Sequence, residues 1–364
     1  MDALTHNTQQ LWEALEDSRI RSFELVDGLS EQTLAAVVSP LLSPLIWDLG
    51  HIANFEQRWL LGHESSLDGL YNPFDNPRDT RGQLPVLAPQ DCFAYMDGVR
   101  EQVGHRVETL DPYLMELVIQ HEQQHNETML QLLRMVDDYR PNWQDPSPHP
   151  RSDLGTSPRS DLGAEGSYWL EVPAGEFVIG RDPRDAAEFV YDNEQRSHLV
   201  TLAGAQIARR PVTNAEFLEW VERGGYRDDE CWSAAGRAWR DKEAATQPLG
   251  WLRDGEGGWV ERNGGIQLAL EPQAPVIHVS WFEADAFARA HDARLPSEFE
   301  WEVAAAFDPA SGEGSLQPWG QRPWCPGDAN LDQRSFGSTA CSSSAARTPL
   351  GFEQMLGQVW EWTS

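Results

Sequence analysis

Apolar residues recur at helical spacing in four stretches of the first 140 residues, and this periodicity predicts four amphipathic helices. The stretches are QQLWEALEDSRIRSFELVDGL (9–29), SPLIWDLGHIANFEQRWLL (43–61), PQDCFAYMDGVREQVGHRVETL (89–110) and DPYLMELVIQHEQQHNETMLQLLRMV (111–136). Ser43 and Asp111 each precede a proline, the arrangement of an N-cap residue followed by the first helical position. Four such helices predict an up-down bundle.

The hydrophobic pattern changes after Tyr168 to short apolar runs separated by turn residues, which is typical of short strands and loops. The runs are WLEVPAGEFVIG, HLVTLAGAQIA and VIHVSW, and helical patches lie at NAEFLEWVERGG and FEADAFARAHDA. This Trp-rich and Gly-rich region is predicted to form an α+β domain with long loops.

A Pro/Ser/Gly-rich tract, residues 141–166, separates these two patterns and is predicted to be a linker, because it has too little apolar surface to form a core. It contains PRSDLG twice, which is interpreted as a local duplication since repeat folds need three or more units. The predicted domains are therefore 1–140 and 167–364. The final GQVWEWTS stops in mid-element, so a further C-terminal piece is expected beyond residue 364.

Charge and composition narrow the class of protein. The 58 acidic and 28 basic residues give a formal charge of −30, which argues against nucleic-acid or anionic membrane partners. No stretch approaches a membrane span and the start has no signal-peptide pattern. The cysteines form no C-x-x-C pair, so we expect a cytoplasmic protein with reduced thiols. They are Cys92, Cys231, Cys325 and Cys341.

The sequence HEQQH at 121–125 is the strongest candidate for chemistry, because His121 and His125 lie one helical turn apart and can bind one metal from one face. A metal centre needs at least one more ligand, and His51, which follows a glycine in another predicted helix, is the candidate. A lone histidine is more often a core residue, but its pairing with HEQQH in a bundle favours the ligand. Zinc hydrolases and iron oxygenases both use such histidines.

The protease interpretation of H-E-x-x-H lacks its usual continuation. The extended motif requires glycine and histidine where this chain has Thr128 and Gln131, and a downstream glutamate on another helix would soon fall in the linker. Three neutral imidazoles would leave the full charge on the metal, which favours an anionic thiolate and leaves room for dioxygen if the metal is Fe(II). No step then needs Glu122 as a base, so Glu122 is expected either just beyond the ligands or on the surface.

These motifs together resemble a known family. WDLGHIANFEQRWLL and HEQQHNETML are similar to the DinB-like helical domain of ergothioneine-biosynthesis sulfoxide synthases. The second half resembles the formylglycine-generating-enzyme domain joined to it, on the residues VPAGEFVIG, DNEQRSHLVTL, RRPVTNAEFLEWVERGGY, PVIHVSWFEADAFARAHDARLPSEFEWEVAA and GQVWEWTS. The resemblance implies a multidomain α and α+β protein, a DinB-like four-helix bundle followed by a C-type-lectin-like, formylglycine-generating-enzyme-like domain.

The resemblance also implies an activity and a site. The family is a mononuclear non-haem Fe(II) enzyme that joins the sulfur of γ-glutamylcysteine or cysteine to imidazole C2 of hercynine and oxidises that sulfur with O2. Carried over by motif, its ligands are His51, His121 and His125, and its contact to the hercynine imidazole is Gln124. The arginines of PRDTR, Arg78 and Arg81, match the clamp for the donor carboxylate, a role that suits the guanidinium fork; without the resemblance they would be interpreted as surface arginines.

Two features of the family are not found. Its catalytic tyrosine and further hercynine contacts are expected beyond residue 364, and its copper-binding cysteine pair cannot be matched to Cys325 or Cys341, so the second domain is expected to serve as a binding wall. One rival is a selenoneine synthase, although a selenosugar donor has no carboxylate for Arg78 and Arg81. The others are a zinc-dependent hydrolase and a non-catalytic metal-binding module with a lectin-like domain.

Overall fold

The computed structural model describes residues 8–137, 139–140, 168–182, 189–320, 322, 325, 328–331 and 346–364. The chain forms two compact units. The first contains the N-terminal helical region together with Arg181, Asp182, residues 189–195 and Arg262–Gln267, and the second contains the remaining described residues. The predicted linker, residues 141–166, and both copies of PRSDLG lie outside the described residues, so the domain boundaries stay predictions.

The helical unit contains the four predicted helices and two short ones. They are α1 (Thr8–Val26), α2 (Glu31–Leu34), α3 (Leu45–Glu56), α4 (Asp68–Tyr71), α5 (Pro89–Gly104) and α6 (Pro112–Leu133). A π-helix, Gln57–Leu61, extends α3, and a 3₁₀ helix spans Arg78–Gln83. Part of the core is a cluster of Leu11, Leu15, Leu60, Leu61, Val99, Val103, Met115, Val118 and Ile119. The four-helix prediction is confirmed, and this cluster takes its residues from α1, from the π-helix that extends α3, from α5 and from α6.

The two predicted helix starts differ in outcome. Asp111 caps α6 through a bond from the Tyr113 backbone N–H to its carboxylate, with Pro112 in the first turn as expected. The prediction of Ser43 as the cap of α3 is wrong, because that helix begins at Leu45 and Pro44 is its N-cap. The Ser43 hydroxyl instead accepts a hydrogen bond of 2.7 Å from Arg81 Nη1. The Ser43 side chain, which the local sequence predicts as a helix cap, therefore bonds instead to a residue that is distant in the sequence.

The second half begins with two antiparallel pairs of strands that match the apolar runs. Strand β1 (Trp169–Val172) pairs with β4 (Ala205–Ala208), and β2 (Gly175–Ile179) pairs with β3 (His198–Leu202). The run VIHVSW forms no strand, because His278 has a positive φ of 59° that interrupts the extended backbone, and its last residue, Trp281, already begins a helix. The remaining sheets are small, and their strands are β5 (Trp251–Arg253), β6 (Trp259–Asn263), β7 (Ile266–Ala269), β8 (Phe307–Asp308) and β9 (Glu313–Gly314).

Four helices complete the described part of this half. They are α7 (Asn214–Glu222), α8 (Ala234–Glu243), α9 (Trp281–Ala290) and α10 (Glu298–Ala306). Three of them, α7, α9 and α10, begin with capping boxes, in which a Ser or Thr at the cap and a Glu three residues later satisfy each other's backbone N–H. Aromatic residues from α7 and α9 pack with tryptophans of β5 and β6 in one core cluster. The predicted α+β class with loops is confirmed.

The described residues also include cysteines and all the helices named above. Cys92 and Cys231 carry free thiols, and Cys341 lies outside the described residues. None of the helices that the structure describes has the length and apolar character needed to cross a bilayer.

Candidate metal centre

The three histidines singled out from the sequence come together inside the helical unit. His51 lies on α3 and is buried, and His121 and His125 lie one turn apart on α6. One ring nitrogen from each lies within 4.8 Å of the others. His51 Nε2 is 3.2 Å from His121 Nε2. Two imidazole nitrogens bound to one ion at about 2.0–2.1 Å, at tetrahedral or octahedral angles, lie about 2.8–3.4 Å apart, so this spacing fits a shared metal.

The protonation states of His51 and His121 favour metal binding. His51 Nδ1 is 2.8 Å from the Tyr71 carbonyl, and since a carbonyl can only accept, Nδ1 carries the proton and Nε2 presents its lone pair. Burial, with the nearby His125, lowers the pKa of His51 to about 3. Burial and the neighbouring His125 and His51 also hold the pKa of His121 well below its usual range. At neutral pH both rings are uncharged bases, the form that a metal requires.

Aromatic contacts fix the orientation of two of the rings. The Trp47 ring stacks on His51 at a centroid distance of 4.9 Å, and the Phe55 ring stacks on His121 at 3.6 Å. Trp47 is four residues before His51 on the same face of α3, as helical periodicity requires. With a carbonyl on one edge and an indole on one face, the His51 ring has a single orientation.

Gly50 lets the short helix α4 approach His51. A Cβ built on Gly50 would lie 2.2 Å from the ring of Tyr71, which is fully buried. Tyr71 supplies the carbonyl that receives the His51 proton. The absence of a side chain at Gly50 therefore permits the close approach that brings this carbonyl to His51.

Asp48 is the charged neighbour of the third histidine. Its Oδ1 lies 3.3 Å from His125 Nδ1, and both groups are largely shielded from solvent. His125 Nδ1 is buried without the alignment of a hydrogen bond, so a small rotation of the ring is needed to complete one. A carboxylate that holds Nδ1 would direct Nε2 of His125 to the shared site.

The two arginines of PRDTR have different environments. Arg81 is buried: its Nε donates to the Asn76 carbonyl at 2.8 Å, and its guanidinium lies 3.7 Å from the centre of the Trp47 ring. Burial lowers the pKa of Arg81, although Asp48 opposes that effect. Arg78 is exposed, with one bond of 3.3 Å to the Leu41 carbonyl. Arg78 is therefore open to a ligand, whereas Arg81 already makes several contacts with the protein.

Gln124 and Glu122 lie on opposite sides of α6. Gln124 is exposed, and no hydrogen bond to its amide occurs among the described residues. Glu122 is 0% exposed and accepts hydrogen bonds from Arg19, Arg100 and the hydroxyl of a serine of α1. The surface alternative for Glu122 is wrong. A carboxylate held in this way cannot take a proton from a metal-bound water, which removes the general base of the protease interpretation.

Sequence reasoning missed the groups that orient the ligands. Asp48 had a visible signal, since it is a charge within the apolar run LIWDLG three residues before His51. Trp47 and Phe55 also lie at helical spacing from His51. The Tyr71 carbonyl had no signal, because any residue type can supply a backbone oxygen.

Comparisons with known proteins identify both halves of the chain. The model of the sulfatase-modifying factor enzyme 1-like domain matches residues 158–364, and the DinB superfamily model matches residues 14–138. A hercynine oxygenase of Mycolicibacterium thermoresistibile is 37% identical over all of this chain and 80% of its own length. Hercynine oxygenases of Mycolicibacterium smegmatis and Mycobacterium tuberculosis are 37% and 35% identical over 98% of this chain, and over 83% and 84% of their own lengths.

Proposed function

Because this chain belongs to the hercynine oxygenase family, it is an oxygenase, and we propose that it uses Fe(II) to form a sulfoxide in ergothioneine biosynthesis. The observation that carries the proposal for the metal is the set of three imidazoles whose nitrogens lie within 4.8 Å. No carboxylate belongs to that set, so the ligands are neutral and leave the charge of the metal to an anionic thiol donor and O2.

The proposed reaction joins the thiol sulfur of γ-glutamylcysteine or cysteine to C2 of the hercynine imidazole. The S–H and C2–H bonds break, a C–S bond forms, and the sulfur gains one oxygen. One atom of O2 enters the sulfoxide, and the other leaves as water with the two hydrogens, so the four-electron oxidation is balanced. Iron, when bound by the three histidines, would supply the activation of O2.

The protein groups at the site hold the histidine rings and orient their nitrogens. The Tyr71 carbonyl keeps the proton of His51 on Nδ1, and Asp48 is placed to do the same for His125. Stacking on Trp47 and Phe55 holds two of the rings. These contacts keep the lone pairs directed at one point before any metal binds.

The substrate contacts are proposed on chemical grounds. Arg78 is exposed and matches an anionic carboxylate, so we assign it the donor peptide. Arg81 keeps Nη2 without a hydrogen bond in the described part of the chain, which leaves one edge of its guanidinium for the same carboxylate. Gln124 is exposed and its amide has no hydrogen bond to any of the described residues, so we assign it the hercynine imidazole. We also propose a cytoplasmic location, which the free thiols of Cys92 and Cys231 support.

The test is mass spectrometry of products after incubation with Fe(II), O2, hercynine and one donor at a time. We expect a sulfoxide conjugate with γ-glutamylcysteine or cysteine, and none when iron, O2 or hercynine is left out. A conjugate with a selenosugar alone would assign the selenium reaction instead. Conversion of no donor by iron-loaded protein would contradict the proposal.

A further inference from the structure

A closed ring of four charged side chains lies inside the bundle beside the histidine cluster. Its members are Arg19 on α1, Glu56 on α3, Arg100 on α5 and Glu122 on α6, one from each long helix. Each arginine contacts both glutamates. The distances are 2.6 Å for Arg19–Glu56, 2.8 Å for Arg19–Glu122, 2.7 Å for Arg100–Glu56 and 3.2 Å for Arg100–Glu122.

The ring is deeply buried and its polar groups are satisfied. Both glutamate side chains are 0% exposed, and the two arginines are 6% and 8% exposed. Ser22 Oγ lies 2.8 Å from Glu122 Oε1, and Arg100 Nη1 donates to the Leu15 carbonyl. Replacing such a buried network with well-packed apolar residues is often neutral or stabilising, so net stability does not explain its presence.

The position of the ring relates it to the histidines. Glu122 follows His121 directly and precedes His125 by three residues, so it projects about 60–100° around α6 from the pair. Glu56 is five residues after His51 and projects about 140° around α3 from it. The two helices that carry the histidines thus point their histidines into one cluster and their glutamates into the ring.

The helix packing shows what the ring joins. Helix α6 packs most extensively on α1, and α3 packs most extensively on α5, while α3 and α6 contact each other less. Two of the four ion pairs cross between these helix pairs, Arg19–Glu56 and Arg100–Glu122. The guanidinium fork fixes both distance and angle, so a slip of one helix pair along the other breaks both crossing contacts.

From this arrangement we infer that the ring is a positioning device that fixes the register of α3 against α6 and so sets the spacing of His51 from His121 and His125. Arg19, Glu56, Arg100 and Glu122 act through the histidines and touch neither metal nor substrate. The inference rests on the proposed function, because it takes the three histidines as the metal ligands.

The decisive variant removes the charges together. In Arg19→Met/Glu56→Leu/Arg100→Met/Glu122→Leu the core stays apolar and filled, so we expect a folded protein with a thermal midpoint equal to or above that of the wild type. Anaerobic titration with Co(II) alone should then show binding weakened by about 10–100-fold and an altered visible spectrum, the loss typical of groups that orient metal ligands. The control is Asp17→Asn/Arg21→Gln, which removes an ion pair on the outer side of α1 and should bind Co(II) like the wild type.

A second variant keeps the test decisive if the quadruple variant does not fold. Arg19→Lys keeps the charge but replaces the fork with a single ammonium, so one of its two glutamate contacts is lost and Co(II) affinity should fall by about threefold or more. Wild-type affinity and spectrum in a folded quadruple variant would overturn the inference, and so would wild-type affinity in Arg19→Lys. If the wild type itself shows no Co(II) binding that depends on His51, the metal centre is wrong, and that outcome is distinct from failure of the ring.

Discussion

Helices α3 and α6 carry both the histidine cluster and the two glutamates of the ring of charges, but the chemical states of the cluster and the ring are opposite. In the ring, every charge has an opposite charge within 3.2 Å. In the cluster, three bases lie within 4.8 Å with no acid among them. The ring is complete without a ligand, whereas the cluster presents lone pairs that only a cation can satisfy together. The cluster, unlike the ring, therefore offers the free lone pairs that a metal site requires.

The largest expected effect is loss of metal when the cluster is reduced to two bases. Alanine at His51, His121 or His125 should lower Fe(II) affinity by at least 100-fold, because two imidazoles rarely hold a labile divalent ion against water. Anaerobic Fe(II) titration with metal analysis measures this. Alanine at His63, an exposed histidine on the surface, is the control and should leave one iron per chain. If the His51→Ala protein still bound one iron per chain, His51 would not be a metal ligand, and the histidine cluster would not differ from the ring in the way described.

The second-largest effect is expected when a charge of the ring is removed, and it should lower the stability of the folded protein. Glu122→Gln leaves Arg19 and Arg100 with one buried carboxylate, Glu56, while Arg100 also keeps the exposed Glu16, so the free energy of unfolding should fall by about 3–5 kcal/mol. Urea denaturation of the metal-free protein measures it. The protease interpretation expects the opposite pattern, namely zinc-dependent peptide cleavage by the wild type that disappears in a stable Glu122→Gln protein.

Acid should destabilise the metal-free protein through the histidine cluster and through the ring of charges. The folded pKa of His51 is about 3 and the unfolded value is near 6.5, so the unfolded chain binds more protons between these values. The pKa of Glu122 is also lowered, because Arg19 and Arg100 outweigh the effect of burial, and this contribution is likewise lost on acidification. Stability should fall by about 1.4 kcal/mol per pH unit for His51 below pH 6.5. Denaturation at pH 7 and pH 5 should show a slope greater than this, because the lowered pKa of His121 adds to it, and His51→Asn should reduce the slope; an unchanged slope would refute the assignment.

The smallest expected effect concerns the exposed arginine outside both groups. Arg78→Ala should raise the donor KM by about tenfold, because a charge-assisted hydrogen bond contributes about 1.5–3 kcal/mol, while the KM for hercynine and the melting temperature change little. Arg81→Ala should lower stability as well, since Arg81 packs on Trp47 and bonds Ser43. Equal shifts of both KM values in Arg78→Ala would mean that it only holds its loop.

The parts predictable from sequence were those set by local spacing. The period of apolar residues predicted the four long helices, and the four-residue spacing of HEQQH predicted that two ligands share a face. The ring was missed because its ion pairs join residues far apart in sequence, although Arg19 lies on the apolar stripe of α1, where a charge needs a partner. The cap of α3 was wrong for a related reason, since Arg81 lies 38 residues from the Ser43 hydroxyl that it bonds.

The most direct test of the central claim, that this chain is an oxygenase, is a single turnover under ¹⁸O2 with iron, hercynine and γ-glutamylcysteine or cysteine. The account predicts a sulfoxide product two mass units heavier than that formed under ¹⁶O2, with the second labelled atom in water. The His51→Ala protein should give no labelled product. A sulfoxide that carries oxygen from water, or product formation without O2 uptake, would contradict the account.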